Sequence, residues 1–249
     1  MKKAYMTIDD GPSIDMQQKL DLLIRKNIPC VWFCRGDFLE ERPEVVKNAI
    51  RAGHHIGNHS YSHPGFSDIS LTEAIAEIRK TDTIIQKLYD DSNVEWKHKF
   101  FRFPHGDKGD FLHGDLEKIP SEQGQLRKDA IQSYLKLLGY KQPNFSGVTN
   151  TYHRNMGILN DIDWRWTFDV IEYATLYDGK YELRTIDEVY KRLDSDHVER
   201  GQSINSTNTD EIILVHDMPE TTEYFSEIIE RLTAKNLQFT DVTAQDLVT

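Results

Sequence analysis

Seven short apolar runs, separated by longer amphipathic stretches, constrain the fold of this 249-residue chain more than any other feature. Lys3 to Ile8, Cys30 to Cys34, His55 to Asn58, Lys99 to Phe103, Trp166 to Val170, Glu211 to His216 and Gln238 to Val242 have the length and residue types of strands. Between them, Ile14 to Lys26, Arg42 to Ala52, Ser70 to Tyr89, Glu122 to Leu138, Thr185 to Leu193 and Thr222 to Lys235 carry helical periodicity. Ser70 with Glu73 three residues later forms a capping-box pattern, and Gly53 and Gly139 stand where helices should stop.

An alternation of about seven strand-helix units implies parallel strands covered by helices, either as a closed barrel or as an open sheet. Polar clusters decide between them. Asp9 and Asp10 follow the first run, His59 and His63 the third, His105 and Gly106 the fourth, His216 and Asp217 the sixth. A barrel gathers its strand C-termini on one rim, whereas an open sheet spreads them along a line. The predicted fold is therefore a distorted, TIM-like α/β barrel of about seven parallel strands, forming a single domain over residues 1–249. Two segments exceed the core units, at about 107–125 (after strand 4) and about 141–160 (before strand 5). Loops of such length are usually functional or disordered, and functional ones are expected to wall the site.

Charge narrows the partners. With 41 acidic and 30 basic residues the net charge is −11, and no Lys/Arg cluster offers the basic face that a nucleic acid requires. No run of 18 uncharged apolar residues exists, so no transmembrane segment is expected. The N-terminal MKKAYMTIDD brings two aspartates before an apolar core can form, so no export signal is expected and the chain as written reads as cytoplasmic. Cys30 and Cys34, in one apolar run, are expected to be buried thiols rather than a disulfide framework. Nothing in the pattern fixes an oligomeric state.

Four clusters carry chemistry. In T-I-D-D-G-P, residues 7–12, two adjacent carboxylates at a strand end point in different directions, so one can bind a metal while the other acts as base; the bland alternative is an acidic helix start. Among histidines 54, 55, 59 and 63, Gly57 interrupts any turn joining His55 to His59, whereas His59 and His63 converge around one turn. Two imidazoles and one carboxylate leave coordination positions open, as a hydrolytic metal site needs, although structural histidines give the same pattern. R-F-P-H-G, residues 102–106, supplies a permanent cation to orient a carboxylate, and a Pro104 turn that turns backbone N–H groups toward a cavity. I-L-V-H-D, residues 213–217, ends a strand on His216, placed to donate a proton; a surface ion pair or a core histidine is the alternative for these last two.

In order and context these clusters resemble the motifs of the polysaccharide deacetylase family, the NodB-homology domain of carbohydrate esterase family 4, over nearly the whole chain. The resemblance implies a distorted barrel and one divalent metal, commonly zinc, with cobalt, manganese or nickel as alternatives. It further implies removal of acetyl groups from an N-acetylated glycan such as chitin oligomers or peptidoglycan, or from an O-acetylated one. By similarity Asp9 is the base, Asp10, His59 and His63 are metal ligands, Arg102 partners the base, His216 is the general acid and Leu214 lines the acetyl pocket. W-T-F-D-V-I-E-Y, residues 166–173, is the nearest match to the remaining motif; Glu172 and Tyr173 depart from it, so Asp169 or Glu172 is the charge partner of His216. D-I-D-W at 161–164 is expected to be a decoy or a contribution of the insertion. His105 stands where the family places an aromatic residue, a change tolerable if the backbone N–H does the work. The resemblance also implies a secreted or cell-envelope location for a chain whose leader has been removed. Its rivals are a silent carbohydrate-binding relative and a metal-dependent phosphoesterase, the latter opposed by the absence of a glycine-rich phosphate cradle.

Overall fold

A computed structural model describes residues 1–177, 183–197, 203–206 and 208–242. Six strands, β1 (Lys2–Gly11), β2 (Cys30–Cys34), β3 (His55–Asn58), β4 (Phe168–Asp169), β5 (Glu211–His216) and β6 (Leu237–Phe239), form one parallel sheet. The order is β3-β2-β1-β5-β4, with β6 beside the start of β1. The ring closes through irregular backbone. Asn58 bridges to Phe101, the Trp164 N–H donates to the Phe101 carbonyl at 3.0 Å, and the Thr167 N–H donates to the Ile212 carbonyl at 2.9 Å. The result is a distorted α/β barrel. The run predicted as a strand at Lys99 to Phe103 is reduced to bridges because β3 offers only four residues to pair with it.

Eight α-helices are described: α1 (Met16–Lys26), α2 (Gly36–Glu41), α3 (Pro43–Arg51), α4 (Leu71–Asp91), α5 (Glu122–Leu137), α6 (Thr151–Asn155), α7 (Ile186–Asp194) and α8 (Thr222–Thr233). α2 and α6 have no counterpart in the sequence reading, since six and five residues are too few to display a periodic apolar stripe. Ser70 and Glu73 form the capping box of α4, and Gly53 and Gly139 take the left-handed conformation beyond α3 and α5. No helix among the described residues is long and apolar enough to cross a membrane.

Strand alternation sorts side chains into two cores. Met6 and Ile8, Cys30, Trp32 and Cys34, and Ile213 and Val215 point outward into the layer shared with the helices. Both cysteines are buried there as free thiols. Tyr5, Val31, Phe33, Phe100, Trp164 and Ile212 point inward and fill the barrel, together with Phe145 and Val148. Phe145 comes from the segment at 141–160 and meets Tyr5 and Trp164 edge-on, each at 4.9 Å between ring centroids. Tyr5 lies four residues before Asp9, about 13 Å down the strand, so this insertion plugs the end of the barrel opposite the polar rim.

Phe145 is 1% exposed, and its truncation cannot be relieved by water. Phe145→Ala should therefore lower the unfolding free energy by about 3–5 kcal/mol, read as a shifted urea midpoint at unchanged slope.

Candidate active site

The rim is built where the inward rows of β1 and β5 end. In parallel register Asp9 lies beside His216 and Thr7 beside Leu214, so all four face the barrel axis. Asp10 is re-aimed by a β-bulge between Asp9 and Gly11 and by its own left-handed backbone (φ 66°), which places a second carboxylate on the same rim. Ser60 and His63 are also left-handed, at φ 63° each, and the tight turn between them is held by Glu77, which accepts from the N–H groups of Tyr61 and Ser62. That turn brings His63 back onto His59.

Arg102 is the centre of the arrangement. Its side chain is fully buried, with Nη1 donating to Asp9 Oδ1 at 2.6 Å and to Thr7 Oγ1 at 2.9 Å, and Nε donating to the Trp164 carbonyl. The guanidinium lies over the Phe33 ring, 4.4 Å from its centroid. Burial raises the Asp9 pKa, and Arg102 opposes that rise. Asp9 Oδ1 is thereby occupied, while Oδ2 faces His59 Nε2 at 3.6 Å.

Asp10, His59 and His63 converge. His59 Nδ1 is 2.8 Å from the Arg102 carbonyl and must donate to it, which leaves Nε2 as a bare lone pair. Burial lowers the His59 pKa to about 4, and burial together with the nearby charges of His59, His105 and Arg35 pushes His63 lower still, so both rings are neutral at pH 7. Asp10 Oδ1 has no hydrogen-bond partner, yet it lies 3.2 Å from His63 Nε2 and 3.6 Å from His59 Nε2, and the two Nε2 atoms are 3.2 Å apart. With His59 Nε2 bare and Asp10 Oδ1 unpartnered, the three atoms stand as ligands around one point. The donor set suits a divalent ion with nitrogen and oxygen ligands.

Opposite stands a second group. The side chain of Glu172 is buried, and its Oε1 accepts the backbone N–H of His216 and lies 3.3 Å from His216 Nδ1. Burial alone would strip the His216 proton, but Glu172, Asp169 and Asp10 outweigh it and push the pKa up to about 10. Burial also raises Asp169, to about 6. Between the two acidic residues open to His216 in the sequence, Glu172 makes the contact, with Asp169 in the same cluster. Tyr173 packs edge-on against the His216 ring at 4.5 Å between centroids.

A cleft of about 610 Å³ opens over these groups, lined by Asp9, Asp10, His59, His63, His105, Asp169, Tyr173, Leu214 and His216. Pro104 is buried behind His105, whose ring packs on His63 at 4.5 Å and whose backbone is left-handed (φ 57°). Of the D-I-D-W run, Asp161 pairs with Lys108 and Lys128, Asp163 accepts from the Phe103 N–H, and Trp164 fills the barrel, so none lines the cleft. The expectation that the two insertions wall the site is corrected, since neither contributes a residue to this lining. The first is folded back on the flank, where Asp107 binds Ser67 and Arg165 donates to the carbonyls of Gly106 and Gly114; the second plugs the far end. The walls are instead Arg35, Phe38 and Arg42 on one side, Trp166 and Tyr177 on another, and Met218 to Glu220. Sequence reasoning missed these. Arg35 follows β2 directly, the strand-end signal used for the other clusters, and it could have been found by that rule.

These features define a parallel α/β barrel with an Asp-His-His metal-type centre and a buried His-Glu pair on its strand C-terminal rim. Residues 1–122 match the sequence profile of the polysaccharide deacetylases. Over 106 residues (42% of this chain and 37% of its relative) the chain is 36% identical to the peptidoglycan-N-acetylglucosamine deacetylase of Bacillus cereus. Over 175 residues (70% and 34%) it is 31% identical to chitin deacetylase 1 of Cryptococcus neoformans. The chain thus spans about a third of the length of these curated relatives. The structure of a Bacillus cereus polysaccharide deacetylase superposes with a TM-score of 0.63 at 20% identity, covering 98% of this chain and 94% of that one. The chain belongs to the polysaccharide deacetylase family.

Two outcomes follow from this geometry. Arg102→Met leaves Asp9 buried without its cation and should cost about 3–5 kcal/mol of stability in chemical denaturation. His216 is held above its ordinary pKa of 6.5, so its ion pair stabilises fully below about pH 6.5 and is lost as pH rises through about 10. The stability margin of the native protein over Glu172→Gln should accordingly shrink across that window, as read by urea unfolding at its two ends.

Proposed function

We propose that this protein is a metal-dependent deacetylase of an N-acetylated glycan of the chitin or peptidoglycan class, releasing acetate and a free amine. The observation that carries the reading is the convergence of three ligand-type atoms, Asp10 Oδ1 and the Nε2 atoms of His59 and His63, beside a carboxylate and an imidazolium of opposite duty. Asp10, His59 and His63 would hold the ion, with zinc as the assigned metal. When bound, a divalent ion supplies Lewis-acid polarisation of the acetyl carbonyl and a lowered pKa for water.

The chain's own groups do the rest. Asp9 Oδ2, left unoccupied by Arg102, accepts a proton from the attacking water as its oxygen bonds to the acetyl carbon. Arg102 keeps the other oxygen fixed and stabilises the ionised form. The backbone N–H of His105 would donate to the developing oxyanion, a role in which one donor is typically worth about 2.7–4 kcal/mol. His216, protonated at neutral pH, gives its proton to the departing nitrogen as the carbon-nitrogen bond breaks, and Glu172 holds the ring in place. Leu214 offers an apolar wall to the acetyl methyl group, and Tyr173 limits the motion of His216. The single catalytic domain is read as residues 1–249 with insertions at 107–125 and 141–160. The peptidoglycan class of relatives supports work at the cell envelope.

Asp9→Asn should bind zinc as the native protein does in calorimetry, because Asp9 is not among the three convergent donors, and should lose acetate release from chitin oligomers by at least about 10²-fold. Full activity in that variant would remove Asp9 as the base, and native protein that binds no divalent ion would remove the metal site.

A further inference from the structure

The wall of the cleft beside His59 and His63 is cationic. The Gly36 N–H donates to the Ser60 carbonyl at 2.9 Å and the Asp37 N–H to the Tyr61 carbonyl at 3.0 Å, so the start of α2 is clamped to the turn that carries His63. Arg35, Phe38 and Arg42 all line the cleft from this side. The Phe38 ring is shared by the two guanidinium groups, at 4.1 Å from Arg35 and 5.3 Å from Arg42.

Both guanidinium groups have carboxylate partners, Asp37 and Glu41, but neither has all its N–H donors in use. Asp37 takes the Nε and Nη2 edge of Arg35, at 3.1 and 2.6 Å, and Asp37 is itself fixed by the Phe38 N–H at 2.8 Å. A guanidinium has a second bidentate edge, formed by Nη1 and Nη2, and Arg35 Nη1 has no partner among the described residues. Arg42 donates to the Pro12 carbonyl and pairs with Glu41, a carboxylate more than half exposed and absent from the cleft lining. Of the other lining acids, Asp9 pairs with Arg102 and Asp217 with the buried Lys19, Asp10 belongs to the Asp-His-His cluster and Asp169 to that of His216, and Glu220 lines the cleft from the segment after β5. One planar donor edge of Arg35, stacked and braced, therefore remains for an oxyacid next to the reacting centre. The planar match suits a carboxylate, whose two oxygens accept two parallel N–H bonds where a sugar hydroxyl accepts one.

We propose that the preferred substrate is an N-acetylated glycan bearing a carboxylate group, bound end-on by Arg35 with Arg42 beside it. This rests on the deacetylase reading. The carboxylate can be an ether-linked acid on the acetylated sugar or a uronic acid on the neighbouring one.

The test measures acetate release from a neutral N-acetylglucosamine tetramer, from an N-acetylglucosamine–N-acetylmuramic acid tetrasaccharide and from a hyaluronan tetrasaccharide, the last two each as free acid and as methyl ester. Binding of the same compounds is followed by calorimetry. For one of the two carboxylated glycans, kcat/KM for the acid should exceed that for its ester by at least about tenfold, the scale of a hydrogen bond to a charged group. Whichever glycan shows the ratio identifies the source of the carboxylate. In Arg35→Gln the acid-to-ester ratio should fall toward one in both rate and affinity, and in Arg42→Gln it should fall part of the way. Because each ratio is taken within one variant, a general loss of activity or stability cancels. Equal rates on acid and ester in the native protein, or an unchanged ratio in Arg35→Gln, overturn the proposal and leave the deacetylase reading standing. No acetate from any compound overturns that reading, and this proposal with it.

Discussion

A guanidinium buried along the axis of the barrel organises the rim. Taking Arg102 and Asp9 out of water costs several kcal/mol per ion, and the cost is offset only by close and complete pairing. Arg102 meets most of that demand with Asp9, Thr7, the Trp164 carbonyl and the face of Phe33, its Nη2 being the one buried donor of the group without a hydrogen-bond partner among the described residues. Thr7 and Asp9 come from β1, Phe33 from β2 and Trp164 from a closing segment, so the pair forms only when these are in register. The same residue offers its own carbonyl to His59 Nδ1, which fixes the tautomer that leaves Nε2 bare. One side chain and its backbone thus set the orientation of the Asp9 carboxylate and the tautomer of His59.

Around this pair the barrel makes a division of labour from small backbone departures. The bulge at Asp10 and the left-handed turns at Ser60, His63 and His105 fall on residues that line the rim or carry those that do. Regular strands would send Asp9 and Asp10 to opposite faces. Low dielectric then separates the roles: neutral imidazoles on one side, and on the other an imidazolium kept charged by Glu172. A cleft with these groups at its floor needs only its walls to choose among substrates.

Much of this was legible because it is local. Asp9 with Asp10, His59 with His63, and Arg102 with His105 are neighbours in sequence, and each cluster ends an apolar run. The strand-helix alternation was equally local, and β1, β2, β3 and β5 fall where it put them. Pairings across the chain were not legible. Asp169 and Glu172 are equivalent candidates on paper, and it is the turn at Ile171, with φ 60°, that carries Glu172 beneath His216. The fate of the insertions was hidden for the same reason: Phe145 is an ordinary aromatic in a loop until the open end of a barrel stands beside it.

The sequence by itself determined the periodicities, and with them a parallel α/β barrel, as well as which chemical groups stand at strand ends. Those properties depend on residues a few positions apart, where backbone geometry alone sets direction. Tertiary structure alone decided that Arg102 buries its charge against Asp9, that Glu172 rather than Asp169 touches His216, that the 141–160 segment plugs the barrel, and that Arg35, Phe38 and Arg42 face the metal-type centre. Those outcomes depend on desolvation and close packing between residues 20 to 90 or more positions apart, and no local pattern encodes which distant group will fill a given space.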